Sequence, residues 1–281
     1  MPGGNGRRVA VVAGCRTPFC KSGTALKDAR AVDLARYVAR ELLERTNLDG
    51  TDVDEVVFGQ VVPSALVPNV GREVSLLPQF PKEIPAYSLN RACASAGQAV
   101  SNAHDQIALG NANVVIAGGV ESLSDIPILA SRRFADVLVE ASKARSLGGR
   151  LRAFSRLRPR DLVPVSPAIA EPSTGETMGQ SAEKMAKENH ITRAAQDQWA
   201  LRSHQRAAQG TADGRLTAEI VPWLPARLPE PVVQDNGIRR DTSIEQMAKL
   251  KPVFDRRYGS VTAANSSPLT DGEEFAAVTL P

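Results

Sequence analysis

The sequence predicts an α/β protein, in which a layered α/β/α domain surrounds a mixed, mostly parallel sheet and carries an inserted helical and loop region. Three observations support this prediction. Short apolar runs have the character of buried strands, strand and helix patterns alternate over the first 124 residues, and a central region is rich in Pro, Arg and Gln. Such alternation is typical of a sheet that is covered by helices.

Apolar runs bounded by Gly, Asn or charged residues predict four strands in the first part of the chain. The runs at 8–14 and 54–62 are the most apolar, and we predict that both are buried. The four segments are "RVAVVAG" (8–14), "DEVVFGQVV" (54–62), the weaker "AYSLN" (86–90) and "NVVIAGGVES" (113–122).

Two helices are predicted between these strands. The segment 31–45 places its apolar residues on one helical face, and a second helix runs from about Ala94 to Leu109. The apolar face of the first helix consists of Val32, Leu34, Ala35, Val38, Leu42 and Leu43. The resulting order of strand, helix, strand, strand, helix and strand indicates a mostly parallel sheet.

Residues 125 to about 245 have a different character and predict an insertion that lies over the sheet. Helical stretches at 179–189 and 193–210 alternate there with loops such as "PWLPARLPEPVVQDNG" (222–237). This mixture of helices and Pro-rich loops is unlike the alternation of the first part of the chain.

The last part of the chain returns to strand character in "GSVTAANSS" (259–267) and "FAAVTL" (275–280). We therefore divide the chain into a core domain of 1–124 and 246–281 and an inserted loop domain of 125–245. The inserted domain is expected to lie over the ligand site.

Composition excludes several classes of function. The 281 residues carry 34 Lys and Arg against 31 Asp and Glu, a net charge of +3. This charge is too small to predict nucleic-acid binding over the whole surface. No apolar run approaches the length of a transmembrane helix, and the start of the chain does not resemble a signal peptide. We expect a cytoplasmic protein whose membrane contact is at most peripheral.

The cysteines and histidines do not predict a metal site or a disulfide framework. Three cysteines in a chain of this length fit a reducing cytoplasm. Cys15 and Cys20 are five residues apart, which matches no usual zinc spacing. The three histidines are scattered along the chain at His104, His190 and His204.

The stretch "SLNRACASAGQAV" (88–100) places Cys93 where an extended segment gives way to a helix of small residues. The first N–H groups of a helix lack intrahelical partners and carry partial positive charge. A thiol at such a position can have its pKa lowered from ~8.5 into the range ~3.5–7.5, and the thiolate is the nucleophile. The residues alone leave two interpretations of Cys93 open, a nucleophile and a buried structural cysteine.

The glycine pair of "AGGVES" (117–122) lacks the spacing of a phosphate-binding loop. We interpret this pair as tight packing beneath the helix that follows Cys93. His104 lies eleven residues beyond Cys93, roughly 16 Å along a helix, so we do not predict it to be the base for the thiol. His190 and His204 are predicted to be surface or packing residues.

An ordered set of segments resembles the thiolase family. "NRACASAGQAV" (90–100) resembles the family's nucleophile segment, and "SRLRPRDLVPVSPAIAEPSTGETMG" (155–179) resembles the β-subunit type of 3-ketoacyl-CoA thiolase that belongs to the fatty-acid oxidation trifunctional enzyme. The other segments follow in family order: "RTPF" (16–19), "VVFGQVVPS" (56–64), "NVGR" (69–72), "AGGVESLS" (117–124), "TMGQSAEKMA" (177–186), "AKLKPVF" (248–254) and "GSVTAANSSPLTDG" (259–272).

The resemblance implies the N-terminal domain of the thiolase fold and an acyl-transfer reaction. Cys93 would attack the 3-keto carbonyl of a 3-ketoacyl-CoA, release acetyl-CoA and hold the shortened acyl group until free CoA removes it. The backbone N–H of Cys93 would be one donor of the oxyanion hole. CoA is then a co-substrate, and no metal or redox cofactor is implied.

Three further residues are implied to bind CoA. Met178 falls at a position that lines the pantetheine channel, Ser267 at the Ser that contacts pantetheine, and Arg239 at the Arg that contacts the CoA nucleotide. The plain alternatives are a core methionine, a turn serine and a solvated arginine. Pro268 departs from the Gly of many members.

Two catalytic motifs of the family, Gly-His-Pro and a Cys-x-Gly-Gly loop, do not occur in these 281 residues. The resemblance places both in a second domain. We therefore expect that this domain is absent, that the chain is truncated, and that it does not turn over alone. A fragment, a frameshift and a split protein are the alternatives for its origin.

Other functions remain open at this point. A biosynthetic acetoacetyl-CoA thiolase or a condensing enzyme would use the same thiol, and a non-catalytic thiolase-like half would act in dimerisation or partner binding. The resemblance implies a homodimer with the strand at 86–90 in its interface, medium to long acyl chains, and docking to the hydratase–dehydrogenase α-subunit of a trifunctional complex. The basic segment 132–160 is predicted either to face a partner, an anionic surface or the CoA phosphates, or to be a solvated face.

Overall fold

The structure is a computed structural model that describes residues 8–165, 170–225 and 230–279, with the backbone alone for 273–279. It divides into two compact units. The sheet unit consists of the described parts of Met1–Ile126, Thr192–Lys251 and Thr262–Pro281, and the helical unit consists of those of Pro127–Ile191 and Pro252–Val261.

The boundaries of these units differ from the predicted inserted domain of 125–245. Residues 192–251 belong to the sheet unit. The physical reason is a buried guanidinium, because Arg16 of the first strand pairs with Glu219 and Asp235 from that later segment.

A mixed sheet of six strands forms the centre of the sheet unit, in the order β1-β6-β5-β3-β4 with β2 beside β6. β1, β2 and β5 are antiparallel to β6, and β3 is parallel to both β4 and β5, so five strands share one direction and the predicted mixed, mostly parallel sheet is confirmed. The strands are β1 (Ala10–Arg16), β2 (Cys20–Lys21), β3 (Glu55–Gly59), β4 (Ala86–Leu89), β5 (Val114–Ser122) and β6 (Thr270–Thr279).

Helices cover the two faces of the sheet and form most of the helical unit. The sheet unit contains α1 (Ala31–Thr46), α2 (Val70–Ser75), α3 (Ser95–Leu109), α7 (Arg193–Ala212), α8 (Arg215–Glu219) and α9 (Ile244–Ala248). The helical unit contains α4 (Arg132–Lys143), α5 (Leu147–Phe154) and α6 (Met178–Glu188). The predicted helices at 31–45, 94–109, 179–189 and 193–210 are confirmed as α1, α3, α6 and α7.

The alternation of side chains along β3 explains the layers. Val56 and Phe58 pack in the core that includes α1, whereas Val57 packs in a separate core with α3. Successive side chains of a strand point to opposite faces, so α1 and α3 lie on opposite faces of the sheet. All six residues of the predicted apolar face of α1 are buried.

Two predictions about strands are wrong. β1 is less buried than predicted, with Val11 62% exposed. The segment 259–267 forms bends instead of a strand. Its backbone donors bond to side chains, since the N–H of Val261 donates to Glu183 and that of Thr262 to Asn265, and such bonds compete with a ladder. The predicted strand 275–280 corresponds to β6, and its residue 280 lies outside the described residues.

The helical unit has a small apolar cluster and a buried carboxylate. Val137 and Ala141 of α4 pack with Ala153 of α5. Glu183 of α6 is 4% exposed and accepts hydrogen bonds from the N–H groups of Ser260 and Val261 at 2.8–2.9 Å. This carboxylate ties the segment 252–261 to α6. Residues 166–169, within the segment that resembles the trifunctional type, lie outside the described residues.

Candidate active site

Cys93 lies in a tight turn between β4 and α3. The residue before it, Ala92, has φ 46°, in the left-handed region that costs a residue with a Cβ about 1–2 kcal/mol. Hydrogen bonds hold both peptide groups of this residue. The Ala92 N–H donates to Asn90 Oδ1 at 2.9 Å, and the Ala92 carbonyl accepts from Ser95 Oγ at 2.6 Å.

The turn presents Cys93 to solvent at the beginning of α3. Its side chain is exposed, so the alternative of a buried structural cysteine is wrong. Among the residues that the structure describes, no acceptor bonds to the N–H of Cys93. An unpaired N–H at a helix N-terminus is a suitable donor for an anionic oxygen. The turn therefore places an exposed thiol and an available N–H donor on the same residue.

Cys93 lines a cavity of about 200 Å³ whose floor is backbone. A Cβ on Gly59 would lie 2.4 Å from the carbonyl carbon of Ser95, and one on Gly119 would lie 2.6 Å from Ala96 Cβ. These contacts are too close for any side chain, so the first turn of α3 rests on two glycines. The predicted role of the glycine pair in "AGGVES", packing beneath the nucleophile helix, is confirmed for Gly119.

Two buried acceptors, Gln60 and Glu121, line the same cavity. Gln60 is 6% exposed, and neither its Oε1 nor Glu121 Oε1 has a donor among the described residues. The other carboxylate oxygen, Glu121 Oε2, accepts from the N–H groups of Val61 at 2.9 Å and Val62 at 3.2 Å. Burial raises the pKa of Glu121, and these two hydrogen bonds oppose that shift.

The other two cysteines are not comparable with Cys93, because both are buried. Burial together with the nearby carboxylates Asp235 and Asp271 raises the pKa of Cys20 to about 12. Cys15 donates weakly to the carbonyl of Val38 at 3.8 Å. A thiol that is buried and protonated is inert as a nucleophile.

A buried ion pair fixes one wall of the cavity. Arg16 donates to both oxygens of Asp235, at 2.7 and 2.9 Å, and Asp235 Oδ1 also accepts from the N–H of Phe19. The Arg16 guanidinium lies 4.9 Å from the centre of the Phe19 ring, which lines the cavity. Burial opposes the charge of Arg16, but its two carboxylate partners outweigh burial and its pKa is raised.

The structure brings Arg239 next to the segment that contains Ser267. Arg239 is exposed, and its guanidinium donates to the carbonyl of Ala263 at 3.3 Å. The backbone N–H of Arg239 donates to His204 Nδ1. Burial of His204, together with the positive charges of Arg239 and Lys21, lowers the pKa of His204. Ser267 is exposed, and its hydroxyl lies 3.4 Å from the carbonyl of Pro268. Both side chains are accessible to a ligand of the sheet unit.

Met178 is the first residue of α6 in the helical unit and is 59% exposed. The alternative of a core methionine is therefore wrong. Its role in binding pantetheine stays a prediction, as do the roles of Arg239 and Ser267.

Sequence reasoning missed Asn90 and Glu121. An Asn two residues before Cys93, at the end of a strand, is a known signal for a turn in which the side chain bonds to the backbone. Glu121 is a carboxylate within an apolar strand, and a buried charge in such a place needs partners. Both signals were present in "SLNRACA" and "AGGVES".

Fold and site together define an α/β domain that presents an exposed thiol on a strand-to-helix turn above two glycines. Residues 9–280 match the thiolase N-terminal domain. The chain belongs to the thiolase family, and the predicted resemblance to this family is confirmed.

Relatives of the chain include 3-ketoacyl-CoA thiolases. It is 48% identical over 270 residues to that of Pseudoalteromonas translucida (strain TAC 125) and 49% identical over 267 residues to that of Escherichia coli (strain 55989 / EAEC). Each match covers 95% of this chain and 61% of the relative, so the chain spans about three fifths of the length of these relatives.

Solved structures that share the fold include two crystal structures. The acetyl-CoA acetyltransferase of Bacillus anthracis has a TM-score of 0.81 at 31% identity, with 98% of this chain and 66% of that chain covered. The human mitochondrial 3-ketoacyl-CoA thiolase in complex with CoA has a TM-score of 0.80 at 30% identity, with 98% and 65% covered. In the described part of the chain, no helix has the length and apolar character needed to cross a membrane.

Proposed function

We propose that the chain takes part in acyl transfer from a 3-ketoacyl-CoA to CoA, with Cys93 as the nucleophile that carries the acyl group. The observation that carries this proposal is the turn at Cys93, which combines an exposed thiol, a backbone N–H with no acceptor among the described residues, and a floor of backbone atoms. The 48% identity to 3-ketoacyl-CoA thiolases supports the substrate class.

The reaction has two halves. The Cys93 thiolate attacks C3 of the substrate, and the negative charge that forms on the C3 oxygen lies near the Cys93 N–H. When the carbonyl re-forms, the C2–C3 bond breaks, and the acetyl-CoA enolate takes up a proton at C2. The thiolate of free CoA then attacks the acyl thioester, releases an acyl-CoA shortened by two carbons and restores the Cys93 thiolate.

The family resemblance assigns proton transfer in these steps to a His in a Gly-His-Pro motif and a Cys in a Cys-x-Gly-Gly loop. Neither a Gly-His-Pro nor a Cys-x-Gly-Gly segment occurs in the 281 residues. Loss of one oxyanion donor typically slows such reactions by about 10²–10³, and loss of a general acid or base by about 10²–10⁴. We propose that these residues support acylation of Cys93 and that complete turnover needs the missing groups.

The binding of CoA and of partner chains is part of the same proposal. Arg239 would contact the CoA nucleotide, and Ser267 and Met178 would contact pantetheine. The outer edge of β4 has no strand partner among the described residues, which supports a homodimer that pairs through β4. Within fatty-acid β-oxidation in a reducing cytoplasm, the chain would be the thiolase partner of a hydratase–dehydrogenase subunit, as in the trifunctional type.

Mass spectrometry of the intact chain, followed by peptide mapping, tests the acylation step directly. The chain is incubated with acetoacetyl-CoA or a medium-chain 3-ketoacyl-CoA, and an acyl adduct is expected on the Cys93 peptide alone, because Cys15 and Cys20 are buried. Cys93→Ser is the control. An adduct that is absent, or faster labelling of Cys15 or Cys20 by iodoacetamide, would contradict the proposal. Robust Cys93-dependent thiolysis by this chain alone would contradict the need for further groups.

A further inference from the structure

We propose that Asn90 and Glu121 are positioning residues that hold the turn of Cys93 through a continuous chain of hydrogen bonds. This inference rests on the proposed function of Cys93 and deepens it, because it names the groups that keep the thiol and its N–H in place. Neither residue is assigned a part in the chemical steps themselves.

The first link is the side chain of Asn90. Its Oδ1 accepts from the N–H of Ala92 at 2.9 Å, and its Nδ2 donates to the carbonyl of Val61 at 3.0 Å. One amide group therefore joins the turn before Cys93 to the residues that follow β3. Because Ala92 is in the left-handed region, the turn needs such bonds to offset the cost of that conformation.

The second link is the carboxyl group of Glu121. Its Oε2 accepts from the N–H groups of both Val61 and Val62. The bonds thus run from Glu121 on β5, through the residues after β3, to Asn90 after β4. These three strands are parallel neighbours, so their C-terminal ends lie at one edge of the sheet. The topology itself places Glu121, the residues after β3 and Asn90 side by side.

Apolar packing does not fix the position of Val61, which lies between Glu121 and Asn90 in this series of hydrogen bonds. Val61 is 40% exposed, so hydrogen bonds to its N–H and carbonyl are the main contacts that define its position. Loss of Glu121 is therefore expected to loosen Val61 and, through Asn90, the turn of Ala92 and Cys93. A carboxamide in place of Glu121 keeps a carbonyl oxygen that can accept both N–H groups.

The test compares two reactions of Cys93 in the full chain. Acylation by a 3-ketoacyl-CoA passes through an oxyanion and depends on the position of the Cys93 N–H, whereas alkylation by iodoacetamide does not. We expect Asn90→Ala and Glu121→Ala each to slow acylation by about three- to tenfold, the effect of one ordinary hydrogen bond, with little change in alkylation. Glu121→Gln is expected to restore the wild-type rate.

The acylation rate of the Asn90→Ala/Glu121→Ala double variant gives a second readout. If Asn90 and Glu121 act through one chain of bonds, the double variant should lose no more acylation than either single variant. Asn111→Ala is the matched control, because Asn111 donates to Gln106 Oε1 at the other end of α3. Additive losses, or acylation and alkylation that fall together, would overturn the inference.

Hydrogen–deuterium exchange separates this inference from the proposed function. Glu121→Ala should speed exchange both at 61–62 and at 92–95, without a change in the global unfolding transition. If the wild-type chain is not acylated at all, the proposed function fails, and exchange alone decides the positioning role. Faster exchange confined to 61–62 would then contradict the inference, and faster exchange at both segments would support it.

Discussion

The sheet unit buries large apolar side chains completely, whereas the helical unit buries small ones and one carboxylate. The ten largest fully buried side chains, among them Phe58, Leu34 and Ile116, all belong to the sheet unit. In the helical unit the apolar cluster consists of Val137, Ala141 and Ala153. The sheet unit therefore supports Cys93 on a well-buried apolar core, whereas the helical unit has a small core and leaves most of its apolar residues exposed.

A leucine-to-alanine substitution in each unit is the strongest test of this difference in burial. Leu34→Ala in α1 should lower the free energy of unfolding by about 2–5 kcal/mol, because a fully buried leucine leaves a cavity. Leu147→Ala in α5, where the leucine is 74% exposed, should change it by less than about 0.5 kcal/mol. Urea denaturation measures both. Equal losses in the two units would show that the contrast is wrong.

The carboxylate of Glu183 should be the main anchor of the helical unit. Glu183→Ala leaves the N–H groups of Ser260 and Val261 without their acceptor, which should cost about 1–3 kcal/mol. Hydrogen exchange should become faster in 252–261, while α1 stays protected. Glu188→Ala on the same helix is the control, since that side chain is exposed. Slower or unchanged exchange in 252–261 would contradict this role of Glu183.

Acid should weaken the two units at different pH values. Burial together with Arg239 and Lys21 lowers the pKa of His204 in the sheet unit from 6.5, so the stability that its neutral form contributes is present above pH 6.5 and decreases as the pH falls below it. In the helical unit, a hydrogen bond from Lys187 lowers the pKa of Asp255 from 3.8 to about 2. That contribution is present above pH 3.8 and is lost as the pH falls towards 2.

Hydrogen exchange at pH 7, 5.5 and 4.5 checks this difference. Protection relative to the intrinsic exchange rate at each pH should decrease near 204 and 239 over this range, with a smaller effect than Glu183→Ala, while protection of the Lys187–Asp255 region should not change. His204→Asn places an amide oxygen where Nδ1 accepts the N–H of Arg239, and it should remove the pH dependence of the sheet unit. If that variant keeps the wild-type pH dependence, another group is responsible.

Sequence alone predicted the sheet unit better than the helical unit, because the sheet unit buries large apolar side chains and the helical unit has only a small core. The 3.6-residue period of α1 and the apolar runs of β3 and β5 record burial directly. In the helical unit, α4 and α5 were not predicted, and they bury only Val137, Ala141 and Ala153. The segment 259–267 was predicted wrongly because its donors bond to Glu183 and Asn265, which lie far away in sequence or within a bend.

The candidate site also contains features that the sequence predicted and residues that it did not. Cys93 was predictable, because a thiol before a helix of small residues indicates either a nucleophile or a buried cysteine, and the family resemblance favoured the nucleophile. The floor beneath it was also predictable from the glycine pair. Asn90 and Glu121 were not found, because their link through Val61 depends on β3 lying between β4 and β5, and a strand order cannot be read from local sequence.

The exposed side of the helical unit should matter least for folding. α5 exposes Leu147, Leu151 and Phe154 at helical spacing. Five basic residues of the segment 132–160 have no acidic partner within 4 Å among the described residues, whereas the other four, Arg132, Arg133, Arg156 and Arg160, do. The unpaired ones are Lys143, Arg145, Arg150, Arg152 and Arg158. Unpaired exposed charges add little to stability, so these five residues are not needed for folding.

Neutralisation of three arginines separates folding from binding. Replacement of Arg152, Arg156 and Arg158 by Gln should change the free energy of unfolding by less than about 0.5 kcal/mol. Binding to vesicles with anionic lipid should weaken by about 1 kcal/mol per charge and should depend on salt, if this surface faces a membrane. A control with the same change of charge replaces Arg40, Arg202 and Arg206, which are exposed in the sheet unit. Loss of capture by a hydratase–dehydrogenase subunit, or of CoA affinity, would assign the surface to those ligands instead. If all three interactions survive the substitution unchanged, the basic segment is a solvated face, and the polar character of the helical unit reflects its weak core alone.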